Sequence, residues 1–360
     1  MREDVGKPSP ELTREMSCKQ DGVPARSPRL QPETGALACR LLSADGAPAA
    51  GRVEFVLATV SHGGAGAGRH PPAGIRVDVP LRTLGEPVLE VWTSSCEPEV
   101  RRAGALRLAC TDDLAFGAIE VEENDLESDV GRAYDLLLGV LADSPQRHLL
   151  RMWNVIPRVS EPARRPAQRA DAIDRYMLFC RARSLAFERH HGAAFARQLS
   201  AASAVGSDGG PIVVYFLASR RPGLRISNPR QEEPWRYPAR YGPRPPSFAR
   251  AMRAPAPFDR TTLVSGTASI VGHASLHRDD LLGQVEETLR NLEVVAQTPA
   301  DSQRAGGWTL KVFLRNAQDL EPVRARLLAA FGAGTPMLFL RADMCRPELA
   351  LEIEGVRCDR

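Results

Sequence analysis

Residues 336–355 read PMLFLRADMCRPELALEIEG, and the fold turns on how this strip divides. The run 336–342 is short, apolar and bounded by polar residues, which predicts a buried strand. The stretch 348–354, ELALEIE, alternates. Leu349, Leu351 and Ile353 fall on one face of a strand, and Glu348, Ala350, Glu352 and Glu354 fall on the other. A strand with one apolar face needs a second layer to cover it.

Working outward, the segments before the strip supply that layer. An amphipathic helix is predicted over 280–296, with Leu281, Val285, Leu289, Leu292 and Val295 on one stripe. A strand follows at 309–314 and a second helix at 320–331. Strands are also predicted at 212–218 and 262–271, after the turn SDGG at 207–210. This order predicts an α/β (α+β) sheet with helices on one face. The first half has the same flavour. Strands are predicted at 37–41, 53–60, 88–93, 106–111, 114–121 and 148–156, with helical spacing over 129–142 and 171–199. A structural duplication is therefore expected, although no repeated sequence proves it. The 360 residues fit two domains of about 150 residues. The expected division is an irregular tail at 1–33, a first unit at 34–206 and a second at 207–360.

Composition narrows the class. Apolar content of 43% and charged content of 25% are those of a globular protein. A net charge of +3 gives no electrostatic reason for a nucleic-acid or membrane partner. No stretch of about eighteen apolar residues is present. The first residues lack an apolar secretory core, so a cytoplasmic location is expected. Seven cysteines form no C-x-x-C pair and read as reduced thiols, with no metal or other cofactor expected. Lysine occurs only at Lys7, Lys19 and Lys311, leaving 44 of the 47 basic residues as arginine. A GC-rich genome produces that bias without a functional cause.

Residues 220–260 hold ten arginines and nine prolines with little periodicity. So long an irregular segment in a compact domain is usually functional or disordered. Trp235, Tyr237, Tyr241 and Phe248 argue that it is ordered and packed over something.

Several residues of the strip can carry chemistry, each against a plainer alternative. The alternation puts Glu352 on a face that is by default solvated. In a partly apolar cleft the same carboxyl would be a general acid. Cys345 is by default a small buried group, yet beside Arg341 and Arg346 it can be a low-pKa thiol. Arg341 ends an apolar strand, so it needs an anionic partner, either Asp343 or a substrate carboxylate. Arg230, Arg244 and Arg250 in the arginine/proline segment have surface roles by default; grouped around aromatics they suit a dicarboxylate. His273, Ser265 and Ser269 show no nucleophile–base order.

Seven ordered blocks then carry a resemblance. They are RMWNVIP (151–157), DRYMLFCRAR (174–183), VVYFLAS (213–219), ISNPRQEEPWRYPARYGPRPPSFARAM (226–252), LVSGTASIVGH (263–273), ETLRNLE (287–293) and LRADMCRPELALEIEG (340–355). Together they resemble the chorismatase family, over roughly residues 35–357. The resemblance implies two α/β subdomains like the small RidA-type imine deaminases, each a mixed sheet with helices packed on one face. It implies cleavage of chorismate with release of pyruvate, no cofactor and a single chain acting as a monomer. Glu352 matches the family's acid, which protonates the enol-ether methylene. Arg341, Arg250 and Arg183 are the implied carboxylate contacts, and Tyr215 and Tyr237 the implied lining of the ring pocket. Family members that aromatise their product to 3-hydroxybenzoate carry a cysteine seven residues before the acid, the place of Cys345. Those members tend to have Gly where this chain has Ala268, and the family usually has Gly at Ala182. Two other readings remain from the residues alone: a RidA-like imine hydrolase, and a non-catalytic binder of small anions.

Overall fold

The computed structural model describes residues 37–43, 54–63, 74–163, 173–296 and 307–359. The expected irregular tail at 1–33 lies outside them.

Two six-stranded sheets share one topology. The first contains β5 (Glu99–Ala103), β6 (Leu106–Cys110), β7 (Leu114–Val121), β8 (His148–Pro157), β9 (Ala201–Ser207) and β10 (Ile212–Ser219), in the order β5-β6-β7-β10-β8-β9. The second contains β11 (Leu224–Ile226), β12 (Ala251–Arg253), β13 (Thr261–Thr267), β16 (Trp308–Leu314), β17 (Met337–Arg341) and β18 (Leu351–Cys358), in the order β11-β12-β13-β18-β16-β17. In both, the last strand in sequence inserts between the third and the fourth. In both, every pairing is antiparallel except the final one, β8 with β9 and β16 with β17. The helices repeat as well. Helix α1 (Leu126–Ala142) and α2 (Arg175–His191) flank β8, while α3 (Leu281–Ala296) and α4 (Leu320–Phe331) flank β16. The chain is thus a structural duplication, and the mixed sheets with helices on one face match the expected class.

The boundary does not fall at 206/207. Strand β10 lies inside the first sheet, paired with β7 and β8. The join between repeats therefore sits between Ser219 and Leu224. The glycine-rich turn at 207–210 suggested a domain start, but it links β9 to the strand that completes the first sheet. Two further differences concern weak patterns. Strand β9, AASAVGS, has few large apolar side chains and was not anticipated. The 220–260 segment is mostly irregular, yet it contributes two short strands at one side of the second sheet, β11 at the edge and β12 next to it.

Packing follows the alternation of each strand. On β10, Ile212, Val214 and Phe216 pack under α1 and α2 with Val130, Leu137 and Phe187. Val213, Tyr215 and Leu217 face the other way. On β18, Leu351 and Ile353 pack under α3 and α4 with Leu289, Leu292 and Leu327. Each such side chain contributes about 1.5–3 kcal/mol on burial. Asp125 caps α1 by accepting from the Ser128 backbone N–H, and Asp174 caps α2 by accepting from that of Met177. The faces turned away from the helices share a third core with a four-stranded sheet. That sheet comprises β1 (Leu37–Ser43), β2 (Phe55–His62), β3 (Ile75–Val79) and β4 (Val88–Ser94), in the order β1-β4-β2-β3. A two-stranded ribbon, β14 (Ile270–Val271) with β15 (Ala274–Ser275), follows β13. Among the described residues no helix is long and apolar enough to cross a membrane.

The repeats are stitched together at β9. Gly206 and Asp343 exchange backbone hydrogen bonds of 2.7 and 2.9 Å, and the Ala249 N–H donates to the Ser200 carbonyl. The Ser265 hydroxyl accepts from the Ala202 N–H at 2.9 Å.

Candidate active site

A cavity of about 230 Å³ opens along this seam. Helix α2 contributes Met177, Cys180 and Arg183 on one face, at the spacing of one helical turn. Strand β9 contributes Ala202, Ser203 and Ala204. The arginine/proline segment contributes Tyr237, Tyr241, Phe248 and Arg250, and the second repeat contributes Gly266, Ala268, Cys345, Arg346 and Glu352. The lining is more apolar than polar, with its charges gathered at a few points.

Glu352 is one of three carboxyls lining this cavity, with Asp174 and Glu348. It is 6% exposed, and no hydrogen bond or ion pair holds its carboxyl among the described residues. Burial, reinforced by the negative charge of Glu354, pushes its pKa up to about 8 against the pull of Arg151 and Arg250. The carboxyl is therefore largely protonated at neutral pH. Room for it comes from Gly266, where any Cβ would sit 1.7 Å from Glu352 Oε1.

Three arginines face the same space without a carboxylate partner among the described residues. Arg183 Nε donates to the Tyr134 hydroxyl at 2.8 Å, and its Nη1 donates to the Ser247 carbonyl. Arg250 Nη2 donates to the Glu232 carbonyl at 2.7 Å and to the Tyr237 hydroxyl at 2.8 Å. Its buried Nε has no acceptor. Arg346 stacks over the Tyr241 ring, 4.1 Å from its centroid, and donates to the His273 carbonyl at 2.9 Å. Buried guanidinium groups with spare donors are suited to an anionic ligand.

Residues 90–218 match the family described as chorismatase FkbO/Hyg5-like, N-terminal. A 3-hydroxybenzoate synthase of Streptomyces hygroscopicus is 34% identical over 312 residues, covering 83% of this chain and 87% of that protein. The chain belongs to the chorismatase family. A second relative, a chorismatase of the same organism, is 31% identical over 284 residues, 75% of this chain and 79% of its own length. A chorismatase crystal structure superposes with a TM-score of 0.77 at 27% identity, covering 91% of this chain and 100% of that one. The protein is an enzyme of the chorismatase type.

Of the residues expected at the chorismatase site, the fold brings together Glu352, Cys345, Arg183, Arg250, Tyr237 and Ala268. It does not bring Arg341 or Tyr215. Arg341 lies outside the cavity, its Nη1 3.0 Å from Asp343 and 3.2 Å from Asp208. Its anionic partner is thus protein, the first of the two alternatives. Tyr215 is 2% exposed on the shared-core face of β10, stacked on Trp153 at 4.7 Å. Its hydroxyl accepts from Lys311 Nζ at 3.1 Å. Cys345 lines the cavity but is no thiolate. Burial and the charge of Glu352 push its pKa up to about 12, and Arg346 offsets this only in part.

Three residues were missed as site residues. Gly266 sat unremarked in the SGTAS block. Ser203 lay in the unrecognised strand β9. Arg346 was visible only as a neighbour of Cys345, and its position over Tyr241 depends on a contact across 105 residues of chain, which no local pattern reports.

Proposed function

We propose that the enzyme cleaves the enol ether of chorismate, releasing pyruvate and 3-hydroxybenzoate, with Glu352 as general acid. The observation that carries this is the buried, unpartnered Glu352 carboxyl, its pKa raised by burial, in a cavity ringed by Arg183, Arg250 and Arg346. Chorismate has two carboxylates and one acid-labile enol ether. The arginines take the carboxylates. Glu352 gives its proton to the methylene carbon, turning it into a methyl group and leaving an oxocarbenium centre on the side chain. The carboxylate left on Glu352 and the substrate's own side-chain carboxylate offset the positive charge that develops, while the arginines hold the substrate in place. The ring's C4 hydroxyl oxygen then closes on C3 as the bond between C3 and the ether oxygen breaks, and the three-carbon unit departs as pyruvate with the ether oxygen as its ketone. Opening of the resulting epoxide at C4, with loss of the C3 proton to the Glu352 carboxylate, gives 3-hydroxybenzoate and restores the acid.

The aromatic product is supported by two observations. Cys345 lines the cavity seven residues before Glu352 as a neutral thiol. The 34% identical relative is itself a 3-hydroxybenzoate synthase. Chorismate is isomeric with 3-hydroxybenzoate plus pyruvate, so this route consumes no water and suits a cavity walled by Tyr237, Phe248 and Ile270. A second reading, hydrolysis to a dihydroxycyclohexadiene carboxylate, is favoured by Ala268, which lines the cavity where aromatising members tend to have Gly. A cytoplasmic setting is supported by Cys39, Cys96, Cys110, Cys180, Cys345 and Cys358, all free thiols.

Incubation with chorismate and chromatography of the products tests the reading. Pyruvate with 3-hydroxybenzoate is expected. Pyruvate with the diol moves the assignment to the hydrolase, and absence of pyruvate refutes the substrate.

A further inference from the structure

Glu352 shares its strand face with a second buried carboxylate that does not reach the cavity. Glu354 lies two residues on, about 6.8 Å along β18, and is 2% exposed. It is held by groups from three other strands. Lys311 Nζ on β16 lies 3.0 Å from Oε1, and Trp153 Nε1 on β8 donates to the same oxygen at 2.8 Å. Arg151 Nη2 on β8 donates to Oε2 at 2.6 Å, and the Ser203 hydroxyl on β9 donates to that oxygen too. Lys311 is also paired with Glu90 on β4 at 2.8 Å. An array of this depth is costly to desolvate, and losing one member leaves an uncompensated buried charge. Such an arrangement calls for a role beyond stability.

Ser203 points to that role. While its hydroxyl donates to Glu354, its oxygen accepts the Gly266 backbone N–H at 2.8 Å and a bond from Arg151 Nη2 at 2.6 Å. Gly266 is the wall against which the Glu352 carboxyl lies. The chain of contacts runs from Glu354 through Ser203 to the backbone of Gly266, and so to Glu352.

We propose that Glu354 is a positioning residue for Glu352, orienting Ser203 so that the Gly266 backbone is fixed against the acid. The inference rests on the reading of Glu352 as the acid. A second effect runs in parallel through charge. Burial would raise the pKa of Glu354, but Lys311 and Arg151 outweigh it and hold the group ionised. That fixed anion opposes a second negative charge on Glu352. The other groups acting on Glu352 are Arg151 from β8 and Arg250 from the arginine/proline segment, with Cys345 and Tyr176 of α2 beside it as neutral partners.

The test uses the full chain with Glu352→Gln, Glu354→Gln and Ser203→Ala. Infrared difference spectra against Glu352→Gln, taken across a pH titration, isolate the carbonyl stretch of the Glu352 acid. Glu354→Gln is expected to lower its titration midpoint by about one pH unit or more. Ser203→Ala keeps the Glu354 charge, so it is expected to move the midpoint by less than about half a unit. It should nevertheless shift the band position, and lower kcat for pyruvate release about tenfold with KM unchanged. An unmoved midpoint in Glu354→Gln overturns the proposal. So does an unchanged band with unchanged kcat in Ser203→Ala, which also decides the matter if Glu354→Gln does not fold. If the wild-type protein releases no pyruvate, the substrate reading fails, while the infrared midpoint and band still decide how the two glutamates are related.

Discussion

The α-carbon of Gly266 and the carboxyl of Glu352 are so close that a methyl group on the first would lie 1.7 Å from an oxygen of the second. The Glu352 carboxyl therefore occupies a space that exists only because position 266 has no side chain. The atom in conflict is the far end of a side chain, so the fold can yield by turning the carboxyl away. Gly266→Ala is expected to keep most of its thermal stability and to lose at least about a hundredfold in kcat for pyruvate release, the size expected for a misplaced catalytic group. A coupled lactate dehydrogenase assay and a melting curve measure the two quantities separately.

In the proposed role Glu352 acts in its protonated form, and burial raises its pKa to about 8. The kcat/KM profile is expected to be flat below that value and to fall about tenfold per pH unit above it. Stability has a different window. From its ordinary value of 4.5 up to about 8, the unfolded chain ionises this group while the folded chain holds the proton. Folding stability from this site is therefore complete below pH 4.5 and is lost as pH rises through the window. Glu352→Gln removes the titration. It should be more stable than wild type at about pH 8 and lose that advantage near pH 4. Urea unfolding at the two pH values gives the comparison.

Arg250 keeps a buried Nε without an acceptor, whereas Arg341 is engaged with Asp343 and Asp208. Arg250→Met is expected to raise KM for chorismate at least about tenfold, as befits loss of a charge-assisted bond. Arg341→Met should leave KM within about twofold and show its effect in the melting temperature. Equal KM changes in the two variants would contradict the placement of Arg341 outside the site.

Cys345 is a neutral thiol against the same cavity. Cys345→Ala is expected to shift product from 3-hydroxybenzoate towards the non-aromatic diol, with total pyruvate lowered less than about tenfold. Product ratios by chromatography decide it. An unchanged ratio would make the thiol a packing group.

Much of this site was legible in residues 336–355. The alternation of ELALEIE put Leu351 and Ile353 on the helix-covered face and Glu352 on the other, as found. What alternation could not report was the cover over that second face, because the cover comes from α2, β9 and the 220–260 segment. The helix α3 was plain from its stripe of Val285, Leu289, Leu292 and Val295. Strand β9 was not, because alanine and serine pack well in a seam but leave almost no hydrophobic signal. Arg341 and Tyr215 were misplaced for a related reason. Both are buried polar groups on strands, and the sequence shows that such groups need partners without showing whether the partners are protein or substrate. The division at 206/207 failed because a strand inserted between earlier ones belongs to a sheet begun about a hundred residues before.

That insertion has a consequence for how the enzyme comes into being. Strand β18 follows every other strand of its sheet in the chain, yet it lies between β13 and β16 and carries both Glu352 and Glu354. Until residues 351–358 dock between β13 and β16, the second sheet is open at its middle and the cavity wall lacks Glu352. With Glu352 in its proposed role, the last strand to join the sheet is also the one that makes the chain a catalyst.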